Sequence, residues 1–262
     1  MSEPIIRVIG LSKRFAGLMA LDAVSLEVGE HEVVGLIGPN GAGKTTCFNC
    51  VTGFYPPTSG RVRLRGEDVT ELPPAARAAH GMARTFQQVQ LFGHLTVEEN
   101  LLLGRHLHYG ASAVESALRL PRARRAEASA RAAVRDIAGE CGLAPVLGAR
   151  VGDLPYGTQR MVEVARAIAT EPAVLLLDEP SAGMDTAESS YFGQLLRQVH
   201  VERGLTTLVI EHDVALVTAI CDRIYVLDFG QLIAEGTPAQ IRRDPLVQAA
   251  YLGDQRGLLA NA

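Results

Sequence analysis

The residues best placed to do chemistry form one short run: Gly38, Pro39, Asn40, Gly41, Ala42, Gly43, Lys44 and Thr45, with Thr46 next. They match the phosphate-binding pattern G-x-x-x-x-G-K-[ST], preceded by an apolar VVGLI stretch that reads as a strand and followed by residues that read as a helix. A polyphosphate needs many donors and close backbone approach. Gly41 and Gly43 remove side chains that would stand in the way, so successive N–H groups converge on the anion and the helix N-terminus adds its partial positive charge. Lys44 is then placed to reach the outer phosphates, and the Thr45 hydroxyl to ligate Mg²⁺.

A second pair of groups complements the first. Asp178 and Glu179 directly follow the apolar stretch AVLLL. In a parallel sheet the carboxyl ends of the strands face the ligand crevice, so Asp178 is expected to hold Mg²⁺, mostly through water. Glu179, one residue on, is expected to polarise an attacking water. Gln87, after Thr85 and Phe86, and His212, at the end of TLVIE, are further polar groups that carry no assignment when taken singly.

The elements that must position these groups follow from pattern. The first seventy residues read as strands at Ile5–Gly10, Ala23–Val28, Glu32–Ile37 and Arg61–Leu64, with one helix from about Gly43 to Gly53. From Thr96 to Ala138 the chain is rich in Ala, Leu, Glu and Arg; Thr96 and Glu99 form a capping box opening a helix. The Arg-rich tract from Arg119 to Arg135 is interleaved with Glu127 and Asp136 and reads as a solvated helical face. From Ala173 strands and helices alternate again: Ala173–Leu177, a helix near Thr186–Val201, Thr206–Ile210, a helix near Val214–Ile220, and Arg223–Leu227. Continuous apolar runs imply strands covered on both faces, hence a parallel sheet. Phe229 and Gly230 turn a hairpin, and Thr237 caps a short helix, PAQIRR. The expected organisation is one domain: a core over 1–87 and 166–236, an inserted helical subdomain over 88–165, and a C-terminal helical tail over 237–262.

Bulk properties exclude several classes. The chain has 262 residues, a net charge of −4, 47% hydrophobic and 21% charged residues, an ordinary globular composition. No basic surplus exists to hold a phosphate backbone, so nucleic acid is not an expected partner. No apolar run approaches the roughly 18 residues that a membrane helix needs, and Ile5 and Ile6 are followed almost at once by Arg7, Lys13 and Arg14, unlike a signal peptide. Cys47 and Cys50 have C-x-x-C spacing but lie in a predicted helix without a second ligand pair, which points to core packing.

Taken together, the order GPNGAGKT, TFQ, LPYGTQR, LLLDEP, SAGMD, EHD resembles the ABC ATPase series over essentially the whole chain. The resemblance implies an α/β P-loop NTPase of ABC type: a mixed, largely parallel sheet core with an N-terminal antiparallel β portion and an inserted α-helical subdomain. It implies that Gln87 (Gln88 stands beside it) is the Q-loop glutamine contacting Mg²⁺, that His212 is the switch histidine at the γ-phosphate, and that Phe15 stacks on adenine. Leu154, Pro155, Tyr156, Gly157, Thr158 and Gln159 occupy the signature position, and Ser181 to Asp185 the D-loop. In the family the signature of one subunit closes over ATP held by the P-loop of another. With one of each, this chain is expected to work as a dimer with a second ABC ATPase or with itself.

Here the signature departs from L-S-G-G-Q, with Pro155 for the serine, Tyr156 for the first glycine and Thr158 for the glutamine. The stretches LIGPNGAGKTTCFNCVTGFYPPTSG and ARTFQQVQLFGHLTVEENLLLG, and the C-terminal EHDVALVTAICDRIYVLDFGQLIAEGTPAQI, are similar to the larger ATPase of high-affinity branched-chain amino-acid importers. That branch also includes importers of urea and short-chain amides, and lipid or lipopolysaccharide export ATPases share much of the insertion. The resemblance implies ATP and Mg²⁺ as ligands. It also implies two membrane permease subunits, an extracytoplasmic substrate-binding protein reached through the complex, and a peripheral place at the cytoplasmic face of the membrane.

Overall fold

A computed structural model describes residues 3–85, 90–105 and 121–251. The chain separates into two compact units: Met1–Arg84 with Ala173–Pro180 and His200–Ala262, and Thr85–Pro172 with Ser181–Val199.

The first unit holds two sheets. β1 (Ile6–Phe15), β2 (Leu18–Val28), β4 (Ser59–Leu64) and β5 (Glu67–Asp68) form an antiparallel sheet in the order β2-β1-β4-β5. The second sheet runs β10-β9-β3-β8-β7-β6, from β3 (Val33–Ile37), β6 (Met82–Arg84), β7 (Val174–Asp178), β8 (Thr207–Ile210), β9 (Arg223–Asp228) and β10 (Gln231–Gly236). Its neighbours are parallel except for the β9–β10 hairpin. The VVGLI, VLLLD and TLVI strands are buried along their whole length, as expected of strands with both faces covered. One apolar cluster joins Ile6, Leu26 and Val62 of the first sheet to Leu36, Leu176 and Ile210 of the second, with Phe48 of α1 (Lys44–Val51) between them in sequence and in the same core. Cys47 and Cys50 are buried there, and burial pushes the Cys47 thiol up to about 12.

β1 and β2 are longer than the sequence reading placed them. Register shifts between Val8 and Leu11, Leu11 and Lys13, and Lys13 and Arg14 interrupt the alternation on which that reading relied. Strand β6 is three residues long, too short to carry a period of its own, and it follows α2 (Pro74–Ala79), another short element that the sequence did not announce. Phe229 and Gly230 both have positive φ, 42° and 80°, the backbone of a tight two-residue hairpin. The remaining helices of this unit are α7 (Val214–Ile220), α8 (Pro238–Arg243) and α9, over 245–251.

The second unit is helical: α3 (Val97–Gly104), α4 (Pro121–Glu140), α5 (Tyr156–Ile168) and the larger part of α6 (Thr186–Arg203). Gly104 lets α3 approach α5 closely; a Cβ there would sit 2.3 Å from the Arg166 carbonyl oxygen. Along α4 the buried residues are Ala130, Val134, Ile137 and Ala138, while Arg131 pairs with Glu98 and Glu127. Residues 166–172 and 181–199, assigned from sequence to the core, pack with this unit. The reason is that α5 is one uninterrupted helix on both sides of residue 166, and α6 contributes Phe192 and Leu196 as buried side chains.

Candidate nucleotide site

The phosphate-binding run connects β3 to α1. Gly38 is buried, Pro39 half-buried and Asn40 exposed, and the Ala42 N–H donates to the Pro39 carbonyl at 3.2 Å. Gly43, at φ 101°, immediately precedes α1, and a Cβ there would lie 2.6 Å from the Ala20 carbonyl oxygen. Gly41, at φ 78°, borders open space. One glycine is therefore fixed by packing beneath the loop, and the other by the turn on its open side. The hairpin between β9 and β10 supports the loop from the side, with the Gly230 N–H donating to the Ala42 carbonyl at 2.9 Å. Lys44 is buried and its Nζ donates to the Gly38 and Pro39 carbonyls at 2.7 and 3.0 Å. The ammonium thus lies along the loop. Thr45 and Thr46 open the first turn of α1, exposed and half-buried respectively.

Sheet register brings the carboxylates to the same edge. Leu36 of β3 and Asp178 of β7 both pair with Ile210 of β8. Gly38 follows Leu36 by two residues, Glu179 follows Asp178, and His212 follows Ile210 by two. Three adjacent parallel strands thus deliver the loop, the carboxylate pair and the histidine at their carboxyl ends, where open α/β sheets bind ligands.

Asp178 is 3% exposed. Its Oδ2 accepts from Arg84 Nη2 at 3.0 Å. Burial draws the Arg84 guanidinium below its usual pKa, and the Asp178 charge and hydrogen bond pull it back up. Glu179 is half-buried, and its N–H donates to the Ile210 carbonyl at 2.9 Å. Its φ of 45° is left-handed, a conformation that costs about 1–3 kcal/mol for such a residue and concentrates at functional sites. The His212 side chain is 56% exposed, its Nδ1 3.7 Å from Oε2 of the buried Glu211. Phe15 ends β1 at 40% exposure. Its ring meets Tyr55 edge-on with centroids 5.4 Å apart, and Lys13 Nζ stands 5.0 Å from its centroid.

The helical unit carries the signature residues. Leu154 is half-buried, Pro155 immediately precedes α5, and Tyr156, Gly157, Thr158 and Gln159 form its first turn. Gln159 Nε2 donates back to the Leu154 carbonyl at 2.8 Å. Tyr156, where the family pattern has glycine, stacks near Arg160 and against Gly183, whose Cβ, if present, would lie 3.1 Å from Tyr156 Cε1. Arg160 in turn pairs with Glu163 at 3.1 Å, both fully buried. Asp185 caps α6, accepting from the Ala187 and Glu188 N–H groups at 2.8 Å each. Ser181 is buried and its carbonyl accepts from the Met184 N–H at 3.0 Å. Gln87 lies outside the described residues.

The donor set fits a hard cation. A threonine hydroxyl and one buried carboxylate suit Mg²⁺, which is commonly held by one or two carboxylates and the substrate's phosphates. No group of three or more His, Cys, Asp or Glu side chains that could cage a metal occurs among the described residues. Two arginines that sequence reasoning did not single out surround α1. Arg84 is described above. Arg77 is buried and donates to the Cys50, Val51, Leu72 and Thr70 carbonyls, closing the helix's C-terminal end. Arg77 belongs to no quoted motif and Arg84 stands just before TFQ; the partners of Arg84 lie in other elements. Among the described residues, no helix is long and apolar enough to cross a membrane.

Comparison with known proteins agrees with this geometry. Residues 21–182 match the ABC transporter family model, and residues 231–256 match a model described as branched-chain amino acid ATP-binding cassette transporter. The chain is 45% identical over 254 residues to the high-affinity branched-chain amino acid transport ATP-binding protein BraF of Pseudomonas aeruginosa, covering 97% of this chain and 100% of the relative. It is 44% identical to LivG of Escherichia coli, a protein of the same description, with the same coverage. The lipopolysaccharide export system ATP-binding protein LptB of Haemophilus influenzae is 35% identical, with 94% of this chain and 95% of LptB covered. Among solved structures, the ADP conformation of MJ1267, an ATP-binding cassette of an ABC transporter, superposes with a TM-score of 0.82 at 32% identity, covering 96% of this chain and all of the other. The chain belongs to the ABC transporter family, as an ATP-binding subunit.

Proposed function

We propose that the chain hydrolyses ATP in a dimer beneath a membrane permease, driving import of branched-chain amino acids. The observation that carries this reading is the convergence of Gly38–Thr45, Asp178, Glu179 and His212 at the carboxyl ends of three adjacent parallel strands. The cargo rests on the 44–45% identity to BraF and LivG and on the match at residues 231–256; LptB is the more distant at 35%.

In this reading the loop N–H groups and the α1 N-terminus bind the phosphates, and Lys44 turns from the Gly38 and Pro39 carbonyls toward them. Thr45 and Asp178, with Gln87, would hold Mg²⁺, which would supply positive charge against the phosphate oxygens. Glu179 accepts a proton from the attacking water, and His212 donates to the γ-phosphate. Phe15 stacks on adenine. The signature turn Leu154–Gln159 meets the γ-phosphate held by a second subunit, with Ser181 and Asp185 of the D-loop nearby. ATP binds the closed dimer better than the open one, so binding closes it and hydrolysis releases it. The partners are a second ABC ATPase or a second copy, two permeases at the cytoplasmic face of the membrane, and an extracytoplasmic binding protein.

The test is Glu179→Gln in the assembled transporter. In the transporter turnover should stop while ATP remains bound, and the ATPase subunits alone should accumulate as a closed dimer in size-exclusion chromatography. Continued hydrolysis at the wild-type rate would remove Glu179 from this role. Leucine uptake by proteoliposomes bearing the complex tests the cargo.

A further inference from the structure

We infer that Arg84 is a positioning residue that fixes the Asp178 carboxylate relative to the phosphate helix, and so sets the affinity for Mg²⁺ with ATP. The inference rests on the reading of Asp178 as a Mg²⁺ carboxylate.

Arg84 ends β6, and in the parallel register it pairs with Leu176, two residues before Asp178. Its guanidinium spans two elements. Nη2 donates to Asp178 Oδ2 at 3.0 Å, while Nη1 donates to Asn49 Oδ1 and to Thr52 Oγ1, each at 2.8 Å. The guanidinium carbon lies 4.6 Å from the Phe48 ring centroid and 4.7 Å from that of Phe54. These rings and hydrogen bonds restrict the orientation of the fork. Phe48 and Asn49 belong to α1, and Thr52 immediately follows it.

The consequence is a fixed linkage. Thr45 stands at the start of α1, seven residues and about 10 Å from Thr52 along the helix axis. Arg84 clamps Asp178 to the far end of that same rigid rod. Two of the side chains proposed for the cation, the Thr45 hydroxyl and the Asp178 carboxylate, are thereby tied together through one helix and one guanidinium. Carboxylates that bind metal are held by outer partners of this kind, whose loss typically costs 10–100-fold in metal affinity or activity. Stability alone is a poor reason for the pair, because a buried ion pair is often no better than apolar side chains of similar volume. Lysine could supply the charge but not the planar fork.

The test is a Mg²⁺ titration of a fluorescent ATP analogue bound to the full chain, alongside its affinity in EDTA and a thermal melt without metal. Arg84→Gln should raise the Mg²⁺ half-point about tenfold or more while leaving affinity in EDTA within about twofold. Arg84→Lys should remain shifted several-fold, and Thr52→Val, which removes the bond from Arg84 Nη1 to the Thr52 hydroxyl, should shift it about two- to threefold. A folded Arg84→Gln protein with an unchanged half-point overturns the inference, as does complete rescue by lysine. Should Arg84→Gln fail to fold, an unchanged half-point in both Thr52→Val and Asn49→Ala overturns it. Wild-type protein that binds no nucleotide in either condition brings down the proposed function and this inference with it; a half-point unmoved in variants that bind nucleotide normally counts against the inference alone.

Discussion

Most of the helix N-termini among the described residues fall into two groups. α3 begins under a capping box made by Thr96 and Glu99, and α8 under one made by Thr237 and Gln240. Asp185, Asp213 and Asp244 accept backbone N–H groups at the starts of α6, α7 and α9. By contrast, α1 is preceded by Gly43 and α5 by Pro155, neither of which offers a side-chain cap. α2 also lacks one, but its first residue is Pro74, which has no N–H to satisfy. A side-chain cap is worth about 1 kcal/mol, so forgoing it at α1 and α5 has a cost that the other helices avoid. Those two are the helices whose first turns are proposed to meet phosphate, whose oxygens would take the free N–H groups in place of a side-chain cap.

The comparison breaks most severely at Lys44. Lys44→Ala removes the one buried ammonium described in the phosphate loop, along with its charge-assisted bonds to the phosphates. The expected loss is about 3 kcal/mol, roughly a hundredfold in ATP affinity, with turnover below detection in the assembled transporter. Equilibrium binding of a fluorescent ATP analogue measures it. Affinity within a few-fold of wild type would separate the uncapped α1 terminus from phosphate binding.

A smaller effect is expected at the other uncapped helix. Pro155→Ser introduces a hydroxyl and an N–H at the residue before α5. If that terminus contacts the partner's γ-phosphate, the serine strengthens a contact that Pro155 leaves weak, and ATPase of the complex rises up to about fivefold, the equivalent of about 1 kcal/mol. An unchanged rate together with unchanged ATP-driven dimerisation would mean that α5 gains only an ordinary cap, visible as higher stability.

The first of those helices was also among the parts most legible in the sequence, for a physical reason. The strand, loop and helix around Lys44 are contiguous, and each glycine serves a local backbone demand. The strands ending at Asp178 and Ile210 announced themselves as unbroken apolar runs. What local pattern could not carry was anything built across elements. Bulges shortened the visible alternation of β1 and β2. Arg77 and Arg84 act on carbonyls, hydroxyls and a carboxylate up to 94 residues away in sequence. Tyr156 departs from the glycine-rich motif, and its ring packs against Gly183. Asp185 has a cap's geometry as well as a motif's position, and the motif alone gave no hint of the cap.

The mildest perturbation tests the contrast from its other side. Thr237 accepts the Gln240 N–H at 3.4 Å, and its own N–H donates to Gln240 Oε1 at 2.8 Å. Thr237→Ala deletes the first of these and the 3.0 Å bond from its hydroxyl to Gln240 Oε1, while the backbone N–H bond survives. The expected loss is about 0.5–1 kcal/mol, read as a lower denaturation midpoint with an unchanged slope. Thr237→Ser, which restores the oxygen, should recover most of it. Because this terminus is capped internally rather than reserved for a ligand, ATP affinity and turnover should stay at wild-type values in both variants. A fall in affinity comparable to the stability loss would show that capped and uncapped helix starts are not functionally distinct, and the division drawn from α1 and α5 would lose its meaning.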